Sequence, residues 1–360
     1  MQVALLLSGG VDSSVALAEL VRAGHDVRAF YLKVWLEDEL DHLGQCPWED
    51  DLASAGAVCE RFGVPLSVVP LQIAYHEAVV QYTLTELRAG RTPSPDLFCN
   101  ERIKFGAFLD YLLAHPDVDD DVAVATGHYA VIRARDAHVE LARSPDPVKD
   151  QTYFLSHLAQ HQLQRIIFPI GGMTKREVRE LAGRLDLPNK ERPDSQGICF
   201  LGKIRYPDFI RHYLGEREGA IVDSESGARL GTHRGFWFYT IGQRQGLGLG
   251  GGPWYVVGKD PESNTIIVSH AEAVDRSARV RFDVDELSWT WEPPATQDVT
   301  IKLRHGPHLH EARLAWHGDS RITVTMREPD RGVAPGQFAV FYDGDVCLGA
   351  GRIREDACTC

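Results

Sequence analysis

The chain of 360 residues begins with an apolar run that two adjacent glycines interrupt before a helical pattern follows: ALLLSGGVDSSVAL, from Ala4. Glycine weakens strands and helices alike, so a pair of glycines between them indicates a tight turn or a close approach to a ligand. A strand, a glycine turn and a helix N-terminus together form an anion site, because backbone N–H groups and the helix dipole favour negative charge. The opening segment therefore predicts a phosphate loop.

Two common phosphate loops are excluded here. A Walker loop needs a Lys after the glycines, and the dinucleotide fingerprint needs GxGxxG in this turn; neither is present. GLGLGG, from Gly246, does match GxGxxG, but the strand-like run PWYVVGKD follows it instead of a helix, so a glycine loop is the better interpretation. An N-capped helix after a glycine turn, without a ligand, stays the alternative for the first loop.

The pattern of apolar residues along the chain changes near Tyr206. Before it, short apolar runs alternate with helical patterns, which predicts a parallel sheet with helices on both faces. Residues 151–187 have a helical pattern, and TKREVRELAGRL is amphipathic after a Thr cap. After Tyr206, β-branched and aromatic runs such as FWFYTIGQR, WYVVGKD and FAVFYDGD predict an all-β part, a small central unit followed by a barrel.

Composition narrows the class of protein. No apolar run approaches the ~20 residues of a membrane span, and the seven cysteines form no CxxC pair, so we expect a cytoplasmic protein with reduced thiols, no membrane association and no metal ligated by its cysteines. The net charge of −13 argues against a general nucleic-acid binder but leaves room for a local basic surface.

Two cysteines have unusual neighbours. Asp96 precedes Cys99 after two prolines, and Lys104 follows it; Cys199 has Lys190, Arg192, Asp194 and Lys203 around it. Positive neighbours favour the nucleophilic thiolate, although a small buried hydrophobic residue is the alternative for either cysteine. The remaining cysteines (Cys46, Cys59, Cys347, Cys358 and Cys360) are assigned to that alternative or to the surface.

These segments together resemble the tRNA-specific 2-thiouridylases of the PP-loop superfamily, which convert the wobble uridine U34 of the tRNA anticodon loop to 2-thiouridine. The resemblance rests on SGGVDSS, GRTPSPDLFCNERIKF, ATGHYA, KDQTYFL, DSQGICFLG, TIGQRQGLG and PGQFAVFYDGDVCLGAG. It implies an α/β PP-loop domain over residues 1–203, a central β-rich domain over 204–274 and a C-terminal β-barrel over 275–360.

The resemblance also implies roles by position. ATP would be bound by Leu6, Leu7, Ser8, Gly9, Gly10, Val11, Asp12, Ser13, Leu32 and Gly127, with Asp12 placing Mg²⁺. Cys199 would receive sulfur from a persulfide carrier protein or a cysteine desulfurase, Cys99 would be its partner in a catalytic disulfide, and Asp96 would be the acid/base group. The tRNA would be met by Ser94, Pro95, Asp96, His128, Lys149, Asp150, Gln151, Arg304, His305 and Gln337.

The chemistry suits these residue types. A uracil oxygen leaves poorly, so ATP would first adenylate O2, and AMP would depart when sulfur bonds to C2 of the unpaired base. Either the Cys199 persulfide attacks C2, or Cys99 attacks its inner sulfur and releases hydrosulfide as the disulfide closes. An N-cap of a helix starting near Asn100 is the alternative for Asp96, and a packed strand-end ring is the alternative for His128.

Several residues depart from the family pattern: Leu6, Leu32, Ser94 and His305 replace more usual residues, which weakens the assignment of those positions. Basic residues between Arg165 and Arg217, including Arg176 and Arg179, suggest a surface that follows the tRNA backbone, with an ordinary solvated helix face as the alternative.

Two other functions compete: a PP-loop enzyme for amide or lysine transfer, and an inactive nucleotide- or RNA-binding module. Cys199→Ser separates the first from a thiolating enzyme, because amide transfer needs no thiol. We expect the variant to form no 2-thiouridine when its tRNA product is analysed by mass. Full product formation would favour the amide-transfer competitor, and tRNA-dependent ATP–pyrophosphate exchange by the unaltered chain would exclude the inactive module.

Overall fold

A computed structural model describes residues 1–34, 48–194 and 205–355. The part that precedes residue 195 is built around a parallel sheet. Its strands are β1 (Gln2–Leu6), β2 (Asp26–Lys33), β3 (Leu66–Pro70), β4 (Ala123–Ala125), β5 (Ala130–Ala134), β6 (Val139–Arg143) and β7 (Ile166–Ile167). Five of them form the sheet in the order β3-β2-β1-β4-β7, and each neighbouring pair is parallel. The predicted α/β fold with a parallel sheet is confirmed.

Helices cover both faces of this sheet. They are α1 (Val11–Arg22), α2 (Trp48–Phe62), α3 (Gln72–Tyr75), α4 (Gln81–Arg88), α5 (Pro95–Phe98), α6 (Phe108–Leu113), α7 (Thr152–Leu155), α8 (Gln160–Leu163) and α9 (Lys175–Arg184), with π-helical segments His76–Val80 and Cys99–Ala107. Alternate residues of β1 enter opposite cores, Leu6 on one side and Leu5 on the other. Because both faces are buried, the strand is apolar at almost every position.

The order of the strands reverses between β1 and β4, since β2 and β3 lie on one side of β1 and β7 lies beyond β4. In open α/β sheets, ligands bind outside the carboxyl ends of the strands at such a point. The glycine turn follows β1, and Gly127 and His128 follow β4. The topology therefore brings these segments to one edge of the sheet.

The central part begins with α10 (Tyr206–Leu214) and contains a four-stranded sheet. Its strands, in the order β10-β11-β8-β9, are β8 (Gly219–Asp223), β9 (Arg229–His233), β10 (Trp254–Asp260) and β11 (Thr265–His270). They enclose a separate core that includes Ile221, Val256 and Ile266. GLGLGG lies in the loop before β10, so it precedes a strand as the sequence predicts.

The C-terminal part is a closed antiparallel barrel. Its strands are β12 (Arg279–Trp289), β13 (Asp298–Lys302), β14 (His310–Trp316), β15 (Ile322–Asp330), β16 (Phe338–Asp343) and β17 (Val346–Ile353). Pairing runs β12-β15-β14-β13-β16-β17, and β12 pairs with β17 to close the ring. The predicted barrel is confirmed.

The barrel sheet continues into the first part of the chain. β5 and β6 form a hairpin, and β6 pairs with β17 through Leu141↔Cys347 and Ala142↔Val346. Leu141 and Cys347 are fully buried in the core that also holds Tyr342 and Phe98. The hairpin therefore joins the barrel to the α/β unit through shared hydrogen bonds and a shared core.

Three local predictions are wrong. The part after Tyr206 is not all-β, because it opens with the helix α10. FWFYTIGQR is not a strand: Phe236–Phe238 is a 3₁₀ turn, preceded by Gly235 at φ 140°. A Cβ on Gly235 would lie 2.5 Å from the Trp237 ring, so a glycine is needed to turn the chain there. Residues 151–187 are not one helical region either, because they also supply β7 to the parallel sheet. The Thr174 cap of α9 is confirmed, with a reciprocal capping box to Glu177.

Replacing Leu141 with Ala tests the shared core. We expect the free energy of unfolding, measured by urea denaturation, to fall by about 2–5 kcal/mol because the side chain is fully buried where the hairpin meets the barrel. Val280→Ala on β12, where the side chain is 40% exposed, is the control and should change stability by less than about 0.5 kcal/mol. Equal small effects would contradict the shared core.

Candidate active site

The phosphate loop, residues 8–13, connects β1 to α1. Gly9 has φ 75°, in the left-handed region that favours glycine, and Gly10 is the extended N-cap of the helix. The hydroxyls of Ser13 and Ser14 donate to the Gly10 carbonyl at 3.0 and 2.9 Å. The Ser8 and Ser13 hydroxyls lie 3.4 Å apart. These contacts make the loop compact.

The carbonyl of Gly9 is held by donors from distant parts of the chain. Ser54 Oγ and Asn189 Nδ2 donate to it at 2.8 Å each, and Arg192 Nη1 donates at 3.1 Å. A Cβ on Gly9 would lie 2.3 Å from the Asp51 carbonyl oxygen. Sequence reasoning missed Ser54 and Asn189, because no spacing relates them to the loop, and it associated Arg192 with Cys199.

Gly127 packs directly on the start of α1. A Cβ at this position would lie 2.8 Å from the Ser13 nitrogen and 2.9 Å from the Asp12 carbonyl carbon. Because both neighbours are backbone atoms, no side chain can move aside to make room. Gly127 therefore lies against the loop to which the family resemblance assigned it.

Asp12 lies on the first turn of α1 and carries two donors on one oxygen. The Tyr129 hydroxyl donates to Oδ1 at 2.9 Å, and the Lys175 ammonium donates to the same atom at 2.6 Å. Burial first, and then the Asp12 charge, raise the pKa of Tyr129, so this hydroxyl stays a donor. Tyr129 and Lys175 are further residues of this site; the sequence indicated no role for Tyr129 and assigned Lys175 only to the basic segment between Arg165 and Arg217.

A cluster of cations surrounds Asp194. Lys149 and Lys175 donate to its two oxygens at 2.8 and 2.7 Å, and Arg179 also donates to it. Partial burial acts to raise the pKa of Asp194, but these hydrogen bonds outweigh it and hold the pKa well below its ordinary value. Lys175 consequently bridges Asp194 and Asp12.

This arrangement suits a polyphosphate. A helix N-terminus, two serine hydroxyls and nearby lysine ammonium groups supply donors and positive charge to one edge of the sheet. Mg²⁺ bound to phosphates is usually held by one or two protein carboxylates, and Asp12 is a carboxylate in the first turn of α1, next to the loop. Across residues 1–34, 48–194 and 205–355 no group of three or more His, Cys, Asp or Glu side chains could hold a metal ion by itself.

The remaining residues assigned to ATP lie at the same edge. Leu6 ends β1 and Leu7 follows it, both with buried side chains, and Val11 is buried in the first turn of α1. The Leu7 N–H donates to the Phe30 carbonyl of β2 at 2.9 Å. Leu32 is half-buried near the carboxyl end of β2 and packs on the core that contains Leu6.

Asp96 and Cys99 lie on a helix that changes type between them. α5 begins at Pro95 after Ser94, so Asp96 is within the first turn, and the alternative that made Asp96 the N-cap of a helix starting near Asn100 is wrong. Burial, and then the Asp96 charge, raise the pKa of Tyr206, the first residue of α10. Cys99 is buried and opens the π-helical segment. Cys199 lies outside the described residues, as does the predicted disulfide.

The π-helical segment Cys99–Ala107 reaches the residues that follow β4. The Phe105 and His128 rings are 6.3 Å apart, and burial followed by the Lys104 charge lowers the pKa of His128. His128 Nδ1 lies 2.7 Å from Thr126 Oγ1. His128 is therefore a packed, neutral imidazole beside Gly127.

The loop before Asp96 is held by the other two parts of the chain. The Thr92 N–H donates to the Pro335 carbonyl of the barrel at 2.8 Å. A Cβ on Gly90 would lie 2.5 Å from Pro261 Cγ of the central part. Ser94 is buried, and its N–H donates to the Tyr82 hydroxyl at 3.3 Å.

The Asp150 side chain, at a position that the resemblance assigned to tRNA, points into the protein. The side chain is fully buried; Lys302 donates to Oδ2 at 2.6 Å, and Thr152 Oγ1 donates to Oδ1 at 2.9 Å. Because this carboxylate neutralises a buried ammonium, it is not exposed to a macromolecular ligand. The residues on either side of Asp150 have other surroundings. The Lys149 side chain is 38% exposed, and Gln151 Oε1 accepts from the Tyr129 N–H at 2.9 Å.

The barrel residues assigned to tRNA lie on its surface. Arg304 donates to both oxygens of Asp330, at 3.2 and 2.8 Å, and remains half exposed. The His305 ring stacks on Phe154 with a centroid distance of 4.9 Å. Burial is the main cause that lowers the pKa of His305. Gln337 is half-buried, and its carbonyl accepts from the Ile353 N–H at 2.8 Å.

The basic segment does not form one face. Lys175 and Arg179 turn inward to Asp194, whereas Arg176 is 80% exposed and pairs with Glu180. A charge reversal at Arg176 and Arg179 would therefore disturb the phosphate-loop network as well as any tRNA surface.

The Asp194 network predicts a specific acid sensitivity. Since its folded-state pKa is depressed, Asp194 adds stability that is fully present above its unfolded pKa of about 4 and is lost as pH falls below that value. We expect the stability difference between the wild type and Asp194→Asn, from urea denaturation, to be constant from about pH 6 to 8 and to shrink below about pH 4. Asp136→Asn, at an exposed loop position, is the control; a difference that grows on acidification would contradict this.

Comparison with known proteins gives matches along the chain. The tRNA methyl transferase HUP domain matches residues 1–203, the tRNA methyl transferase PRC-barrel domain matches 207–270, and the aminomethyltransferase beta-barrel domain matches 279–353. In the described ranges, no helix has both the length and the apolar character needed to span a membrane.

Similar proteins cover the full length. tRNA-specific 2-thiouridylase MnmA 1 of Bacteroides thetaiotaomicron is 43% identical over 99% of this chain and 100% of its own. MnmA 2 of Bacteroides fragilis is 43% identical over 98% and 100%, and MnmA of Parabacteroides distasonis is 42% identical over 99% of each chain. This similarity disfavours amide or lysine transfer. The chain belongs to the tRNA-specific 2-thiouridylase family.

Proposed function

We propose that the protein uses ATP to adenylate O2 of the wobble uridine of tRNA and replaces that oxygen with sulfur to give 2-thiouridine. The observation that carries the proposal is the contact between two segments at the carboxyl edge of the sheet. Gly127 packs on the phosphate loop, and the adjacent His128 meets the segment that begins at Cys99. A nucleotide held by the loop and a base beside Cys99 would therefore be neighbours.

The phosphate loop performs the first half of the reaction. Ser8, Ser13 and the amides at the start of α1 bind the phosphates, and Asp12 would be the protein ligand for Mg²⁺, which would neutralise phosphate charge. ATP supplies the adenylyl group that turns a poor leaving group into AMP. Lys175, which bridges Asp12 and Asp194, would offer positive charge to the departing pyrophosphate.

The two cysteines perform the second half. A persulfide on Cys199, loaded by a carrier protein or a cysteine desulfurase, supplies the sulfur. Either its outer sulfur attacks C2 as AMP leaves and Cys99 then cleaves the resulting C2–S–S–Cys199 link, or Cys99 first attacks the inner sulfur and releases hydrosulfide, which attacks C2. Both routes end in a Cys99–Cys199 disulfide, which an external thiol must reduce before the next turnover. Asp96 acts as the acid/base group of this step. The nearby Tyr206 hydroxyl stays protonated because its pKa is raised. Buried Cys99 is shielded from bulk solvent, which protects a sulfur intermediate from water.

The tRNA is held by groups from two parts of the chain. Ser94, Pro95 and His128 border the base, Lys149 and Gln151 follow β6, and Arg304, His305 and Gln337 extend from the barrel. The anticodon loop already presents unpaired bases, so the enzyme need not open a duplex. Asp150 contributes by its position inside the protein.

The proposal is tested by mass analysis of tRNA after incubation with ATP, Mg²⁺ and a persulfide source. We expect one oxygen to be replaced by sulfur at the wobble uridine, with AMP and pyrophosphate released in equal amounts. Omission of ATP should abolish the product, as should a tRNA with cytidine at the wobble position.

Cys99→Ser and Cys59→Ser form a matched pair for this assay. Both cysteines are buried, but Cys59 lies on α2 in the opposite core. Thiolation should depend on Cys99 and persist in Cys59→Ser. Sulfur at another nucleotide, or a tRNA unchanged under all conditions, would overturn the proposed function.

A further inference from the structure

Lys302 and Asp150 form an ion pair between the barrel and the α/β unit. Lys302 ends β13, Asp150 precedes α7, and both side chains are fully buried with Nζ 2.6 Å from Oδ2. Burying two charges costs free energy, and an apolar pair of similar volume often holds two surfaces together equally well. Adhesion between the barrel and the α/β unit therefore does not by itself require this ion pair, which indicates a second role.

Asp150 is fixed from several sides. Besides Lys302, Arg143 Nε lies 3.3 Å from Oδ2, and the Ser144 N–H donates to Oδ1 at 3.4 Å. Thr152, which donates to the same carboxylate, is also 3.1 Å from the Tyr342 hydroxyl of the barrel. Asp150 can hardly move unless the barrel moves with it, so the residues on either side of it are fixed by the barrel too.

Lys149, on one side of Asp150, is connected to the phosphate loop by a series of ion pairs. Lys149 donates to Asp194 at 2.8 Å, Asp194 accepts from Lys175 at 2.7 Å, and Lys175 donates to Asp12 at 2.6 Å. Each link is an ion pair with at least one partly buried member. The side-chain position of Lys149 thus influences the charge that Lys175 presents to Asp12.

Gln151, on the other side of Asp150, is connected to the Asp12 carboxylate by hydrogen bonds from neutral groups. Gln151 Oε1 accepts from the Tyr129 N–H at 2.9 Å, and the Tyr129 hydroxyl donates to Asp12 Oδ1 at 2.9 Å. Two independent sets of contacts therefore run from the two sides of Asp150 and meet at Asp12.

The barrel end of the pair lies beside residues assigned to tRNA. Lys302 is followed by Leu303, whose carbonyl accepts from the Tyr153 hydroxyl at 3.4 Å. Next along the chain come Arg304 and His305, and His305 stacks on Phe154. The end of β13 thus contacts residues 150–154 and also leads into the residues assigned to tRNA.

We propose that Lys302 and Asp150 are positioning residues that couple the seating of the barrel to the geometry of the phosphate loop. The inference rests on the proposed function for its rate measurement, while ATP affinity tests it separately. Simple adhesion between two domains is the competing explanation. The two differ in what happens when the charges are removed together.

The experiment compares Lys302→Met, Asp150→Asn and the double variant in the full-length protein. We expect Asp150→Asn to unfold at a lower temperature, because it leaves a buried ammonium unpaired, and the double variant to recover much of that loss. If the two residues act by positioning, kcat for thiolation in the folded double variant stays at least about tenfold below the wild-type value. The Kd for ATP then rises at least about fivefold, whereas the KM for tRNA changes by less than about threefold.

Two further variants keep the test decisive. Arg133→Gln removes another contact between hairpin and barrel, the ion pair with Asp345, without touching residues 149–151, and should keep the wild-type kcat and ATP affinity. Tyr342→Phe removes only the hydroxyl next to Thr152 and should lower kcat by about threefold even if both charge variants fail to fold.

The outcomes are distinguishable. Recovery of kcat and ATP affinity together with stability in the double variant would mean adhesion alone and would overturn the inference, as would wild-type values in Tyr342→Phe when the charge variants do not fold. If the wild type makes no 2-thiouridine, the proposed function fails instead, and the Kd for ATP in the same variants decides the coupling.

Discussion

The architecture of the site depends on the Gly9 peptide, whose carbonyl oxygen is held by three donors. A carbonyl that faced the ligand would repel phosphate, whereas one that is satisfied by Ser54, Asn189 and Arg192 leaves the turn with its amides and hydroxyls for an anion. The left-handed backbone of Gly9 allows this orientation. One glycine turn consequently needs α2 and the segment after α9 to be folded correctly.

That dependence explains which features were accessible from sequence. The strand, turn and helix around the loop follow from local patterns, and so do α2, β10 and β16, because apolar periodicity and turn residues act over a few positions. Ser54 and Asn189 have ordinary neighbours, so nothing local marks them as partners of Gly9. The barrel was predictable from the spacing of short strands, but the addition of the β5–β6 hairpin to β17 was not, since strand pairing across about 200 residues leaves no periodic signal.

The same distinction applies to individual site residues. Family resemblance assigned roles to positions such as Lys149, Asp150 and Gln151 as a group, whereas the structure separates them by burial. Asp150 is internal because Lys302, an unremarkable residue in a strand, needs a counter-charge there. Lys175 was predicted only as part of the basic segment, and Tyr129 had no predicted role, because only the fold brings the two residues to Asp12.

The π-helical turn after Cys99 has a consequence for the backbone hydrogen bonds of the helix that carries this cysteine. π-helical turns contain one residue more than α-helical turns, and here Gln162 Nε2 donates at 2.9 Å to the carbonyls of Glu101 and Phe105 within that stretch. The wider turn absorbs that extra residue locally, so Asp96 and Cys99 before it keep nearly the orientation that a continuous α-helix with one residue fewer would give them. What the wider turn changes is the backbone hydrogen bonding, because two carbonyls within it accept from a side chain of α8. A shift of α8 would therefore act on the helix that carries Cys99.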